Sequence, residues 1–211
     1  MATITNQSFR KADIVALYDP CPLDVVSTEK IRSVEHVDFV TAIKDEAILV
    51  ALTKKNIKFA FQTIRFEYTD DNTTVFLERD ISHFAKLIQA LPSNLKYKAI
   101  GINLFMDFKL DGVTNAGEFI RDKFLLDKES IKIKVEKDII AHSIRLFYGS
   151  KEDHNDLRIT PLDLIGNGVG IQLHRHKDVT FTQTEQVVST TTDLFKESYI
   201  ELNRVIGKLL L

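Results

Sequence analysis

The chain has 211 residues, of which 44% are hydrophobic and 27% charged, a balance that excludes an intrinsically disordered protein and allows a sizeable core. The formal net charge of −2 argues against a general nucleic-acid or membrane-surface binder, because such proteins usually carry a strongly basic surface. A single cysteine, Cys21, excludes an intrachain disulfide and a cysteine-rich zinc site.

No targeting or membrane-spanning pattern is visible in the sequence. The first residues lack a charged segment followed by an apolar one, and the longest apolar run, Ala47–Leu52, is too short to cross a bilayer. We therefore expect a cytoplasmic protein without membrane or nucleic-acid partners, and no motif predicts a cofactor.

The first part of the chain is dominated by predicted strands. A β-prone run at 12–18 ends at an Asp-Pro-Cys-Pro segment, and a short helix is predicted within 24–34. Segments rich in Val, Ile, Phe and Thr predict strands at 37–43, 47–52 and 57–68. In the last one the apolar positions change from odd to even near Gln62, which predicts a bulge or a sharp bend.

A polar turn at 70–72 leads to a predicted return strand at 74–77. Helical spacing follows, with Asp80 or Ser82 as the cap and Pro92 as the stop. The apolar residues of this predicted helix are Ile81, Phe84, Ile88 and Leu91.

The strongest pattern in the sequence lies at 100–110, where every even position is apolar. These positions are Ile100, Ile102, Leu104, Met106, Phe108 and Leu110. A period of two predicts a strand with one buried face and one largely polar face, in an antiparallel or mixed sheet.

Both helices and hairpins are predicted in the second half of the chain. A helix is predicted at 115–125, and alternating apolar residues at 131–135 and 140–148 predict a hairpin or bent strands. Residues 149–156 are the most loop-like and would mark a boundary if the chain had two subdomains. The Asn-Gly pair at Asn167 and Gly168 predicts a tight turn between strands at 157–164 and 169–173.

A C-terminal amphipathic helix is predicted to start near 190–193. The fold class is therefore α+β: one domain with a mostly antiparallel sheet of about seven to nine strands and about two to four helices. The helix stripe is spaced like a seam for a partner helix, although packing on the chain's own sheet is the alternative. Its residues are Phe195, Tyr199, Leu202, Ile206 and Leu209.

Two further sets of residues are candidates for a site. His174 and His176 would point to one side of a strand and could share a metal ion, with a third ligand from His142, His154 or Asp156; the alternative is two solvated histidines. Asn103 and Asp107 share one face of the strand at 100–110, where they would contact a ligand if that face lines a cavity.

Other motifs have simpler explanations. The glycine-rich segment at 166–170 is followed by a β-prone run, so it lacks the helix that a phosphate loop needs. Lys128, Lys132, Lys134 and Lys137 would protect a sheet edge from unwanted pairing.

Three functions follow from these patterns. The leading hypothesis is a non-catalytic interaction or assembly component, self-associating or bound to a protein partner. The alternatives are a small-molecule-binding α+β domain and, third, a metal-dependent enzyme that uses His174 and His176. The sequence favours the absence of catalysis, and it contains no motif of a known family.

Overall fold

The structure, a computed structural model, describes residues 2–79, 81–135, 138 and 140–211. Its described strands are β1 (Thr3–Tyr18), β2 (Phe39–Ile43), β3 (Ala47–Leu52), β4 (Ile57–Phe61), β5 (Arg65–Asp70), β6 (Tyr97–Asp111), β7 (Ile144–Gly149), β8 (Asp153–Pro161) and β9 (Gly168–Phe181). Its described α-helices are α1 (Thr28–Ser33), α2 (Ser82–Ile88), α3 (Ala116–Phe124), α4 (Lys128–Val135) and α5 (Thr184–Leu210). Short 3-10 turns lie at Leu23–Val25, Thr53–Lys55 and Phe76–Glu78.

All nine strands form one antiparallel sheet in the order β2-β3-β4-β5-β1-β6-β9-β8-β7. This confirms the predicted α+β class and the C-terminal helix. The described part of the chain holds five α-helices, more than the number expected from the sequence. None of these helices combines the length and the apolar character needed to cross a membrane.

The core lies on one side of the sheet, as the alternation in β6 predicts. Ile102, Leu104 and Met106 are fully buried on the side where α5 packs against β6 and β9. Asn103 and Asp107 point to the opposite side and are partly exposed. We call this opposite side the open face.

Two of the predicted helices, α1 and α3, begin directly after a polar residue whose side chain caps the helix. Ser27 accepts a hydrogen bond from the Lys30 N–H at 3.2 Å and caps α1. Asn115 caps α3 in the same way, through the N–H of Glu118 at 3.1 Å. For α2, Ser82 is the first helical residue and the preceding position provides no side-chain cap, while Asp80 lies outside the described residues.

The predicted strand at 57–68 consists of two strands. The Gln62 N–H donates to the Arg65 carbonyl at 2.8 Å, so the change of phase near Gln62 is a turn between β4 and β5. The strand predicted at 74–77 is wrong, because Phe76 begins a 3-10 turn and is buried beside Phe9 and Tyr199, with ring centroids 5.1 and 5.9 Å away.

The predicted strand at 131–135 is also wrong, since these residues belong to α4. Ile131 and Ile133 are 37% and 75% exposed, so their alternation does not match a buried sheet face. Asp127 accepts a hydrogen bond from the Ser130 N–H at 3.3 Å at the start of the helix. Lys132 and Lys134 therefore do not protect a sheet edge, and Lys137 lies outside the described residues.

The β8–β9 hairpin is present, but it is wider than the predicted Asn-Gly turn. Residues 162–167 connect the strands, and the positive φ of 144° occurs at Gly166. Asn167 instead lies beside the end of β6, where its side-chain amide donates a hydrogen bond to the Leu110 carbonyl at 3.1 Å. The stretch 149–156, the expected position of a subdomain boundary, contains a short turn that connects β7 to β8. These two strands pair with each other in the sheet.

Arg79 ties the loop after β5 to the centre of the sheet. Its guanidinium is fully buried and donates to the carbonyls of Asp70 at 2.9 Å, Phe9 at 3.2 Å and Thr74 at 3.1 Å, and also to the carbonyl of Asn72. Burial lowers the pKa of Arg79, yet these acceptors and the nearby carboxylate of Asp70 compensate its charge. Without this side chain, the carbonyls of Asp70 and Phe9 would lose a buried donor, and those of Thr74 and Asn72 a partly buried one.

We therefore expect Arg79→Leu to lower the free energy of unfolding by about 3–5 kcal/mol, the range found when one partner of a buried ionic network is removed. Urea unfolding followed by circular dichroism measures this loss. The control is Arg32→Leu on the exposed surface of α1, for which we expect a change within about 0.5 kcal/mol. Equal effects of both variants would contradict this role of Arg79.

Candidate functional site

The centre of the open face carries most of the polar side chains of the sheet. The register places Asn103 opposite His174, Phe105 opposite Gln172 and Asp107 opposite Gly170, so these residues lie side by side. Neighbouring strands β1 and β8 add charged residues on both flanks. The charged and imidazole side chains of this surface are Arg10, Lys11, Asp13, Asp107, His154, Asp156, Arg158, His174 and His176.

A groove of about 650 Å³ crosses this surface over Phe105 and Gln172. Gly170 keeps the floor of the groove low: a Cβ at this position would lie 3.0 Å from Leu162 Cδ2 and 3.3 Å from Asp107 Oδ1. The groove is lined by Arg10, Lys11, Asp71, Phe105, Asp107, Arg158, Thr160, Leu162, Gly170, Ile171 and Gln172.

Asp107, one of the two predicted ligand contacts, lies in the groove. Arg10 sits where the β1–β6 register shifts, and its guanidinium Nη1 is 3.0 Å from Asp107 Oδ2. The Arg10 side chain is 61% exposed and Asp107 22% exposed, so the arginine forms the outer member of the pair. Asn103, the other predicted contact, lies outside the groove lining and bonds to His174.

Two arginines share one carboxylate at the β8 side of the groove. Arg145 donates to both oxygens of Asp156 at 2.9 and 2.8 Å, and Arg158 donates to one of them at 3.2 Å. The hydrogen bond from Arg145, followed by that from Arg158, holds the pKa of Asp156 below its ordinary value. The cluster therefore carries one positive charge in excess, and Arg158 brings that charge to the groove.

Each of the other charged residues that line the groove lies within 3.0 Å of a residue of opposite charge. Lys11 is 3.0 Å from Asp13 and lies 5.5 Å from the centre of the Phe105 ring, and Asp71 is 3.0 Å from Lys58. Burial raises the pKa of Asp13, while Lys11 and Thr69 partly offset this effect. The excess charge of the groove thus comes from the Arg145–Asp156–Arg158 cluster.

The predicted metal-binding pair, His174 and His176, does share the open face, and the ring centroids lie 6.3 Å apart. His174 Nδ1 is 2.7 Å from Asn103 Oδ1, and His176 Nε2 is 2.8 Å from Asp178 Oδ1. Of the suggested third ligands, Asp156 is bound by the two arginines, whereas His154 stacks on His176 at 4.8 Å. Among the described residues, no cluster of three or more His, Cys, Asp and Glu side chains suits a metal ion.

The C-terminal stripe is used within the chain. Phe195, Leu202 and Ile206 are 3%, 0% and 2% exposed, and Tyr199 and Leu209 pack partly buried against the same core. The predicted interface residues thus face the sheet and not solvent, because α5 covers the apolar side of β6 and β9. α5 also starts earlier than predicted, at Thr184.

Asp107 is among the candidate residues predicted from the sequence and lines the groove, whereas Arg10, Arg145 and Arg158 were not among them. Arg158 and Arg145 alternate with apolar residues of β8 and β7, which places them on the solvent side of their strands. That signal does not show that they meet at Asp156, because the meeting depends on the register between the two strands.

Comparison with known proteins identifies no family. No protein-family model and no curated protein matches the sequence. Among solved structures, Methanococcus jannaschii TBP is similar with 10% sequence identity and a TM-score of 0.39, over 93% of this chain and 99% of that one. Similarity at this level supports no statement about function.

The histidine cluster makes the stability of the fold dependent on pH. Burial, followed by the neighbouring His176, lowers the pKa of His174 from its ordinary value of 6.5. The unfolded chain therefore takes up a proton before the folded protein does, and the free energy of unfolding decreases as the pH falls below about 6.5. Above that pH this contribution is fully present.

Urea unfolding at a series of pH values measures this effect. We expect His174→Gln to flatten the decrease in unfolding free energy below about pH 6.5, since glutamine does not titrate. His36→Gln, a change of an exposed histidine far from the cluster in sequence, serves as the control and should leave the decrease unchanged. An identical pH profile for wild type and His174→Gln would contradict the role of His174.

Proposed function

We propose that the chain is a non-catalytic binding protein for a small organic anion, which it holds in the groove of the open face. The observation that carries this proposal is the sharing of Asp156 by Arg145 and Arg158, which among the described residues leaves one positive charge at the groove without a second carboxylate. A guanidinium binds carboxylate and phosphate groups with two parallel hydrogen bonds, so either group suits this site.

The size and lining of the groove favour a ligand with an apolar part. Its volume of about 650 Å³ lies within the range of small-molecule sites. Phe105 on the floor and Leu162, which is 49% exposed, provide apolar contact beside Arg158. An aromatic carboxylate or phosphate would satisfy both the charge and the apolar surface.

The reactive groups support binding more than catalysis. Cys21 is buried, and burial raises the pKa of its thiol, so it remains protonated at neutral pH. The ring of His174 is bonded to the amide of Asn103, which fixes the ring without making it a stronger base. The metal-dependent enzyme is thus the least supported of the three hypotheses.

The proposal predicts that benzoate and phenyl phosphate bind at the groove, while neutral benzamide does not. Titration followed by NMR should shift the backbone amides of Phe105, Gly170 and Gln172 with either anion. We expect Arg158→Gln to weaken binding of both anions by about tenfold or more, because a charge-assisted hydrogen bond contributes about 1.5–3 kcal/mol.

Two further variants test the site separately from the general charge of the protein. Lys54→Gln removes an exposed cation from the turn after β3 and should leave anion binding unchanged. Gly170→Ala keeps every charge but crowds the floor beside Asp107, and should weaken binding. Equal binding of benzoate and benzamide, or equal losses in Arg158→Gln and Lys54→Gln, would rule the proposal out.

A further inference from the structure

The edge strand β2 lacks the usual protection against pairing with another chain. Its sequence, Phe-Val-Thr-Ala-Ile, contains no charged residue and no proline, and within the part of the chain that the structure describes it pairs on one side only, with β3. Natural edge strands usually carry lysine, proline or a bulge that prevents such pairing. At the other edge of the sheet, β7 carries Arg145 and ends at Gly149, where φ is 118°.

The backbone of β2 presents its free groups at Val40 and Ala42. The Glu46 N–H donates to the Ile43 carbonyl at 3.1 Å, so Ile43 directs its carbonyl towards β3. In an antiparallel ladder the backbone groups of successive residues point alternately to one side and the other. Thr41 and Phe39 therefore also direct their groups to β3, whereas those of Val40 and Ala42 point outward.

The sequence around β2 is complementary to itself. When two copies pair antiparallel about an axis at Thr41, Phe39 comes opposite Ile43 of the second copy and Asp38 comes opposite its Lys44. Within its own chain, Asp38 Oδ2 also accepts hydrogen bonds from the N–H and the hydroxyl of Thr53 at 2.8 and 2.7 Å. Both charged residues are exposed. Hydrogen bonds from Thr53 hold the pKa of Asp38 below its ordinary value, so Asp38 is negative at neutral pH. An axis at Ala42 would instead place Asp38 against the negative Glu46.

Exposed apolar side chains continue from β2 onto the open face. Phe39, Ile43 and Leu49 are 54%, 40% and 36% exposed, although all three are large and hydrophobic. A groove of about 300 Å³ lies beside them and is lined mainly by apolar residues of β3 and β4, with Lys58, Glu67 and Thr69 at its polar side. Pairing of Phe39 with Ile43 of a second copy would remove part of this surface from water.

We infer that β2 pairs antiparallel with β2 of a second copy of this chain, about a two-fold axis at Thr41. Val40 and Ala42 of one copy then exchange backbone hydrogen bonds with Ala42 and Val40 of the other, and the two sheets become one. The contact is isologous, so it closes at two copies and forms no fibre. A ladder of five residues belongs to the small, readily dissociating interfaces, and the dimer therefore depends on protein concentration.

Size-exclusion chromatography with light scattering and amide hydrogen exchange test this inference on the full chain. We expect a change from one copy to two as the concentration rises. Over the same range the N–H groups of Val40 and Ala42 should become protected, while that of Thr41, which points to β3, is protected throughout. A monomer at every concentration, or protection that does not change at Val40 and Ala42, would overturn the inference.

Three substitutions identify the interface. Thr41→Lys places two like charges at the axis and should abolish the dimer. At low protein concentration, where the wild type is a monomer, we expect it to leave the unfolding midpoint unchanged, since Thr41 is on the partly exposed open face. Lys44→Glu turns both Asp38 contacts repulsive, and we expect the dissociation constant to rise by about tenfold. Phe147→Lys introduces the same charge on β7, where Phe147 is 61% exposed, and should leave the dimer intact.

Comparison of the variants at the two sheet edges distinguishes pairing of β2 with β2 from a contact through β7 and from head-to-tail pairing of β2 with β7. Loss of assembly in Phe147→Lys but not in Thr41→Lys would place the contact at β7 and overturn the inference. Open-ended species that are lost in both variants would indicate head-to-tail pairing of β2 with β7, which also overturns it. Anion binding in the groove and dimer formation through β2 are measured in separate experiments. A negative result for one of them therefore does not decide the other.

Discussion

The packing of α5 against one face of the sheet is the constraint on which the other features depend. The helix brings Leu194, Leu202 and Ile206 onto β6 and β9, and all three side chains are almost fully buried. Since strand residues alternate between faces, every residue fixed towards α5 directs its neighbours towards solvent. The open face is therefore a direct result of how the core is built, and its polar surface can take part in binding without weakening the core.

Electrostatic compensation gives this polar surface its character. Most charges on it lie within hydrogen-bond distance of an opposite charge, such as Arg10 with Asp107 and Lys11 with Asp13. Such partly exposed pairs contribute little to stability, but they fix long side chains in place. The cluster at Asp156 differs because it contains one carboxylate for two guanidinium groups. Among the described residues, the second guanidinium of this cluster has no carboxylate of its own, yet its neighbours hold it in place. Such preorganisation lowers the entropy that a side chain loses on binding a ligand.

Local periodicity explains which parts of this structure could be predicted from the sequence. The period of two in β6 and the helical stripe of α5 identified two of the elements that contribute to the core, together with the side on which Asp107 lies. Alternation at Ile131 and Ile133 was misleading, because α4 leaves both side chains exposed and its formation depends on local capping. The meeting of Arg145, Arg158 and Asp156 could not be predicted, because it depends on the register of β7 against β8.

The position of β1 in the middle of the sheet also constrains how the chain can fold. Ala12 lies opposite Asp70 on one side and Leu104 on the other, so β1 waits for two partner strands that are synthesised after it. The strands β2 to β5 are successive hairpins and can form early through local contacts. Insertion of β1 requires closure of long loops, a step that places such sheets among the slower folders, with folding times of about milliseconds to seconds. Until then β1 is an unpaired strand whose second half, from Ala12 to Tyr18, is apolar except for Asp13, and the nascent chain is most exposed to aggregation during this interval.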